Sequence, residues 1–246
     1  GTSNVAIGAL ALDSNTTADD NTATGYKALY ANTTGHSNVA VGKDALVANT
    51  TGIQSVALGN GALYAQTTGN YNTAVGLSSG SSVTTGQCNV ALGMQSALDL
   101  TTGTNNILLG FNAGRSVSPA TVTTGSNNIV LGNNSHTNAY IKIDWTVTSD
   151  LRDKTNIENV PHGLNFINQI TPIKYDFKTS REDETPNGTK KYGFKAQEIL
   201  ALEGDSPIII NNQDTNNLKM TTEHLVPVLV NAIKELTARV KELEDE

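Results

Sequence analysis

Across 246 residues there are one cysteine, one tryptophan and two methionines, and aromatic side chains make up only 5% of the chain. A lone Cys88 rules out an internal disulfide framework and is expected as a small buried side chain. The four histidines are scattered and give no metal-ligand spacing, so neither a metal nor a cofactor is implied. No stretch approaches the roughly 20 apolar residues of a membrane span. The polar start Gly1-Thr2-Ser3-Asn4 does not read as a signal peptide and looks like a cut into a longer repeat array. Basic side chains are scarce too: 16 Lys and Arg face 23 Asp and Glu, for a net charge of −7. Residues 1–148 carry −2 of this and 149–246 carry −5, so neither part offers the basic face that a nucleic-acid backbone needs.

Charge and glycine divide the chain. Four basic and six acidic residues fall in 1–148, against twelve and seventeen in 149–246, while eighteen of the 22 glycines lie in the first part. The glycine-rich part is periodic. An Asn-x-Ala-x-Gly segment begins at Asn4, Asn21, Asn38, Ser55, Asn72, Asn89 and Asn106, each 17 residues after the last. Its glycines are Gly8, Gly25, Gly42, Gly59, Gly76, Gly93 and Gly110, and a Thr-Thr-Gly turn ends at Gly35, Gly52, Gly69, Gly86 and Gly103. An eighth anchor, Asn128, arrives 22 residues after Asn106. The five extra residues belong between Arg115 and Val122, as a loop between coils.

A strict period means stacked units that cannot bury a core singly. Each unit reads as a short strand such as Asn38-Val39-Ala40-Val41-Gly42, a second segment with a small-apolar pair such as Ala45-Leu46, and a polar turn. Alternation puts Val39 and Val41 on one face, apolar, and leaves Ala40 on a thinner one. Asparagines at equivalent positions can form hydrogen-bonded ladders up the stack. These units resemble the head repeats of trimeric bacterial adhesins and of phage fibres, over residues 1 to about 134. The resemblance implies a mainly β stalk, a parallel β-roll or β-solenoid, assembled as a homotrimer; a monomeric solenoid is the alternative. Only Tyr26, Tyr30, Tyr64, Tyr71 and Phe111 supply aromatic surface there, which argues against carbohydrate platforms. The stalk carboxylates Asp13, Asp19, Asp20, Asp44 and Asp99 do not recur as a pair at one repeat position, which argues against glycosidase chemistry. The stalk reads as mechanical.

A β connector follows over 135–148, in which Ile141, Ile143, Trp145 and Val147 alternate with Tyr140, Lys142, Asp144 and Thr146. Then comes Ser149-Asp150-Leu151-Arg152-Asp153-Lys154-Thr155-Asn156-Ile157. With Pro172-Ile173-Lys174-Tyr175, Gly193-Phe194-Lys195-Ala196-Gln197-Glu198 and a helix from about Thr222, residues 149–246 closely resemble the endosialidase-type intramolecular chaperones of phage tail fibres and tailspikes. The resemblance implies a smaller α+β domain that assists trimer assembly and then cuts the bond before its own serine. Carried onto this chain, the bond is Thr148-Ser149, the nucleophile Ser149, the lysine of the Ser-Lys pair Lys154, and Asp150 a supporting aspartate. It further implies a virion protein, assembled in the host bacterial cytoplasm, whose partners are its own copies, upstream fibre and other virion proteins, and a host-surface receptor. No nucleic acid or membrane insertion is implied.

The chemistry can be argued from the residues as well. A serine hydroxyl needs a base to take its proton, and an amine can serve only when neutral. Burial at a subunit contact, or a nearby cation such as Arg152, favours the neutral form, whereas Asp153 opposes it and departs from the family's apolar residue. In a straight strand the five-residue offset would separate Ser149 and Lys154 by about 16 Å, so the pair needs a bend or a second chain. Ser149 could act on its own preceding carbonyl or on a neighbour's. At the C-terminus, Val226, Leu229, Ile233, Leu236, Val240 and Leu243 form a heptad seam expected to pair as a coiled coil. Its β-branched and leucine positions alone favour two strands, against the implied trimer, and packing on its own domain is the other use. The competing reading of the whole is a purely structural trimeric adhesin or fibre fragment with a non-cleaving trimerisation domain.

Overall fold

The computed structural model describes residues 1–115, 120–136, 138–142, 147–178, 183–186, 188, 190–213 and 215–246. It divides into two compact units, Gly1–Ala139 and Tyr140–Glu246.

The first unit is a parallel β-solenoid. Three-residue strands β1 (Val5–Ile7), β2 (Thr22–Thr24), β3 (Val39–Val41), β4 (Val56–Leu58), β5 (Thr73–Val75), β6 (Val90–Leu92), β7 (Ile107–Leu109) and β8 (Ile129–Leu131) form one sheet in chain order. Equivalent residues pair throughout, as in Ala23 with Ala40 and Ala40 with Ala57. The longer step keeps the same register, Leu108 opposite Val130. Ala97 still bonds to Ala113, whereas Thr101 bonds to Thr123, so the five extra residues enter between 113 and 123 without shifting the sheet. Part of that loop, 116–119, lies outside the described residues, as do 143–146 of the connector, including Trp145.

From β2 onward the inward, buried residue of each strand is its middle one. Ala23, Ala40, Ala57, Ala74 and Ala91 are buried, while Val41, Leu58, Val75 and Leu92 on the other face are exposed. The apolar face legible in the sequence is therefore the outer one. The interior takes alanine because a second side chain fills the space across the coil: Leu29, Leu46 and Leu63 lie fully buried beside Ala28, Ala45 and Ala62. Where the strand residue grows to Leu108, the opposing one shrinks to Gly114, whose Cβ would fall 1.9 Å from a Leu108 methyl. At this coil the missing side chain makes room for Leu108; at Gly80 and Ala97, opposite Ala74 and Ala91, the lost leucine is instead made up by buried Val83 and Leu100.

From β5 onward the core changes composition. The inner leucine becomes Gly80, Ala97 and Gly114, and the buried Asn32, Asn49 and Gln66 of earlier coils become Val83, Leu100 and Val122. The asparagines opening the strands stack as a ladder: Asn21 Oδ1 accepts from the Asn38 backbone N–H at 3.0 Å, and Asn38 Nδ2 donates to the Gly52 carbonyl at 2.8 Å. One rung is keyed differently. At Ser55 the side chain is one group short, and Gln66, one methylene longer than Asn49, makes up the gap. Its Nε2 lies 3.2 Å from Ser55 Oγ and its Oε1 accepts from Asn72 Nδ2 at 2.9 Å.

Three turn positions per coil hold left-handed backbone, for example Ser37, Asp44 and Leu46 at φ of 59°, 56° and 52°. Each costs a non-glycine residue about 1–2 kcal/mol, and none of the equivalent positions holds valine, isoleucine or threonine, which tolerate this region least. Coil-to-coil hydrogen bonds offset that cost, such as Leu29 N to Ala45 O at 3.0 Å. Cys88 occupies one of these turns, at φ 55°, and is exposed. The expectation of a buried thiol is thus corrected: its position is that of Asp20, Ser37 and Tyr71, and the turn directs it away from the core.

The second unit is a small α+β assembly. A 3-10 turn (Leu151–Asp153) leads to α1 (Leu164–Gln169), the hairpin β9 (Ile173–Tyr175) with β10 (Lys191–Gly193), α2 (Ala196–Glu203), a second hairpin β11 (Ile210–Asn211) with β12 (Lys219–Met220), and a long helix α3 (Leu225–Glu244) preceded by a 3-10 turn at Thr222–His224. Pro227 is tolerated in the first turn of α3, where its missing N–H has no intrahelical acceptor. Phe166, Ile170, Ile199, Ile209, Ile210, Leu225 and Val228 form the core. Two motif residues meet at the hairpin: a Cβ on Gly193 would lie 2.9 Å from the Tyr175 ring, so the glycine admits the tyrosine.

Candidate functional site

Ser149, Asp150 and Lys154 are brought together by the 3-10 turn. Asp150 is its N-cap: the backbone is extended (φ −65°, ψ 136°), and the carboxylate accepts from the Arg152 backbone N–H at 2.9 Å, satisfying a donor that the turn leaves free. Lys154 closes the turn, its N–H donating to the Leu151 carbonyl at 3.1 Å. This reversal replaces the extended separation with contact. Lys154 Nζ lies 2.9 Å from Ser149 Oγ and donates to the Ser149 carbonyl oxygen at 3.0 Å. The bend that the five-residue offset requires is therefore supplied within one chain.

Thr148, Ser149, Asp150, Arg152, Asp153 and Lys154 are all exposed. Asp150 is gripped twice, since the Arg152 guanidinium also binds both of its oxygens, with Nη2 at 2.6 Å. These side-chain bonds, and then the backbone one, hold the Asp150 carboxyl below its ordinary 3.8. The same pair raises the Arg152 guanidinium further. Because the folded value lies below the unfolded one, the cap's contribution is present above the unfolded value and is lost only as pH falls through the folded one. Asp153, whose charge next to Lys154 would oppose a neutral amine, makes no ion pair among the described residues. No group of three metal-ligating side chains occurs among the described residues, and no described helix is long and apolar enough to cross a membrane.

The heptad seam lies on the free side of α3. Val226, Leu229, Ile233, Leu236, Val240 and Leu243 are exposed, whereas Leu225, Val228 and Ala232 face the core. The same helix holds α1 through polar contacts absent from the sequence reading: Glu235 accepts from the Leu164 N–H at 2.8 Å, and Asn231 donates to the Val160 and His162 carbonyls at 3.2 and 3.0 Å. The helix therefore packs on its own domain and also presents a second apolar face.

Residues 149–204 match the family model described as chaperone of endosialidase. Together with the parallel solenoid before it, this match fits a tail fibre carrying a chaperone domain, and it points to a role in fibre trimerisation and folding. No curated protein and no solved structure matches the chain.

Proposed function

We propose that this chain is the distal part of a bacteriophage tail fibre or tailspike involved in host attachment, whose C-terminal domain joins three chains, guides the stalk to its register and then cuts the Thr148-Ser149 bond. The observation that carries the cleavage reading is the 2.9 Å approach of Lys154 Nζ to Ser149 Oγ across a capped turn. Neutral Lys154 takes the hydroxyl proton as Oγ attacks the Thr148 carbonyl carbon. The bond to the Ser149 nitrogen then breaks, and the leaving amine takes the proton back from the ammonium. Water hydrolyses the resulting ester, restoring the serine hydroxyl and leaving a carboxylate on Thr148 and a free amine on Ser149.

Two apolar surfaces support the trimer. The α3 seam is one. The other is the column Val41, Leu58, Val75 and Leu92, each 36–38% exposed in the single chain, a stripe that a lone stalk would leave in water. Packing three copies along each surface covers them.

The test is intact mass analysis, under denaturing conditions, of purified wild-type trimer beside Ser149→Ala and Lys154→Arg. Wild type is expected as fragments ending at Thr148 and beginning at Ser149, and both variants as whole chains, because arginine keeps the charge but cannot act as a base. Normal cleavage by a trimeric Lys154→Arg variant overturns the Ser-Lys assignment. An intact wild-type trimer leaves the purely structural, non-cleaving fibre.

A further inference from the structure

The turn that joins Ser149 to Lys154 has one further polar participant, Arg152, to which the family match assigns no task. Asp150 neighbours the serine and stands four residues before Lys154, at the start of the turn that brings the two together. Left free, its carboxylate would compete with Ser149 Oγ for the lysine amine. It is not free: Arg152 Nε lies 3.1 and 3.2 Å from its two oxygens and Nη2 2.6 Å from Oδ2, while Oδ1 also caps the turn. A guanidinium fork satisfies two carboxylate oxygens at once, which an ammonium cannot do.

We propose that Arg152 is a positioning residue for the Ser149–Lys154 pair: it fixes Asp150 as the cap of the turn and keeps that carboxylate off Lys154. This rests on the reading that Ser149 and Lys154 cut the chain. Arg152 touches neither the bond nor the nucleophile; its guanidinium is committed to Asp150, so it acts through that carboxylate and not as a free cation beside Lys154. Its effect therefore depends on Asp150 carrying a charge to restrain. The other charged groups of the segment are Asp153, on the same turn, and Lys154 itself.

The experiment compares Arg152→Gln, Asp150→Asn and the double variant in the full chain, following single-turnover cleavage by intact mass. Arg152→Gln releases a charged carboxylate beside Lys154 and is expected to slow cleavage about tenfold. Asp150→Asn keeps a good cap without the charge and is expected to slow it about threefold. The double variant is expected to be no slower than Asp150→Asn, since no anion remains to be restrained. A second measurement reads the lysine directly in uncut Ser149→Ala trimers, as the rate of Lys154 acetylation by acetic anhydride, peptide by peptide. Lys154 reactivity should fall several-fold in Arg152→Gln and recover in the double variant. If Arg152 only stiffens the turn, the double variant stays as slow and as unreactive as Arg152→Gln, and the proposal is overturned. Unchanged Lys154 reactivity in Arg152→Gln overturns it as well. A wild type that never cuts removes the autoprotease reading, while the acetylation series still decides the role of Arg152.

Discussion

Valine at Gly42 would meet two conflicts that the sheet cannot relax together. The backbone there has φ of +133°, a region that L side chains rarely adopt, and an added Cβ would lie 2.6 Å from the Gly59 carbonyl oxygen of the next coil. Gly76 repeats the arrangement, with φ of +130° and a Cβ 2.7 Å from the Gly93 carbonyl carbon and oxygen. Strain of about 1–3 kcal/mol is expected from the backbone alone. Opening the coils enough to admit the methyl groups also lengthens the flanking bonds, Gly42 N to Thr24 O and Gly59 N to Val41 O, both 2.8 Å, at about 1 kcal/mol each. Together these come to about 4 kcal/mol or more per chain, a fall in melting temperature on the order of 10 °C. Gly61 supplies the control. It is also left-handed, at φ +65°, but an added Cβ would meet nothing nearer than Ser78 Oγ at 3.6 Å, and its equivalents Lys27, Asp44 and Gln95 carry side chains at φ of 54–56°. Gly61→Asn is expected to melt within about 1–2 °C of wild type. The assay is thermal unfolding of the full chain followed by far-ultraviolet circular dichroism. A Gly42→Val variant that melts like wild type, or a large difference between Gly42→Val and Gly76→Val, would falsify the equivalence of the coils.

Ser55→Asn overfills the space that Gln66 already occupies, and Gln66→Asn leaves Ser55 without its partner, so each alone is expected to cost about 1–2 kcal/mol. The double variant restores the Asn38 and Asn49 arrangement and should recover most of that loss, with a coupling of about 1–2 kcal/mol in a melting-based double-mutant cycle; additive losses would refute the keyed rung. On α3, Ile233→Glu places a charge at the centre of the exposed seam. It should yield monomers or mixed oligomers by light scattering while the helix content of the domain persists, because Ile233 contributes nothing to the core around Phe166 and Ile199.

The period, the strands and the final helix are legible because each rests on recurrence: glycine every 17 residues, apolar residues every three or four. The inward face is not. Val39 and Val41 outweigh Ala40 in any apolar count, but a coil this thin admits only a methyl group from the strand once Leu46 fills it from across. The left-handed leucines were equally hidden, since nothing in leucine favours φ near +52° and only the stack makes it worthwhile. At the site, the resemblance nominated Ser149, Asp150 and Lys154, whereas the physical task of Asp150 emerges from the turn. Aspartate is a favoured capping residue, but too frequent a one to assign unaided. The face of α3 bearing Asn231 and Glu235 was missed because polar contacts to loop backbone leave no periodic trace.

Because every coil hands the next an identical set of backbone partners, whole repeats are interchangeable parts at the level of the coding sequence. Unequal recombination between repeats adds or removes one coil and changes the fibre length by about 4.8 Å per step, with Ser149 and everything after it untouched. The exchange is free within a run that shares a core, such as β2 to β3, where Ala23, Leu29 and Asn32 recur as Ala40, Leu46 and Asn49. It is penalised where Ser55 depends on Gln66 one coil segment later, and where buried Gln66 gives way to Val83. Such a stalk can drift in length within a lineage while that keyed segment stays single, a pattern that comparison of related fibre genes can recognise.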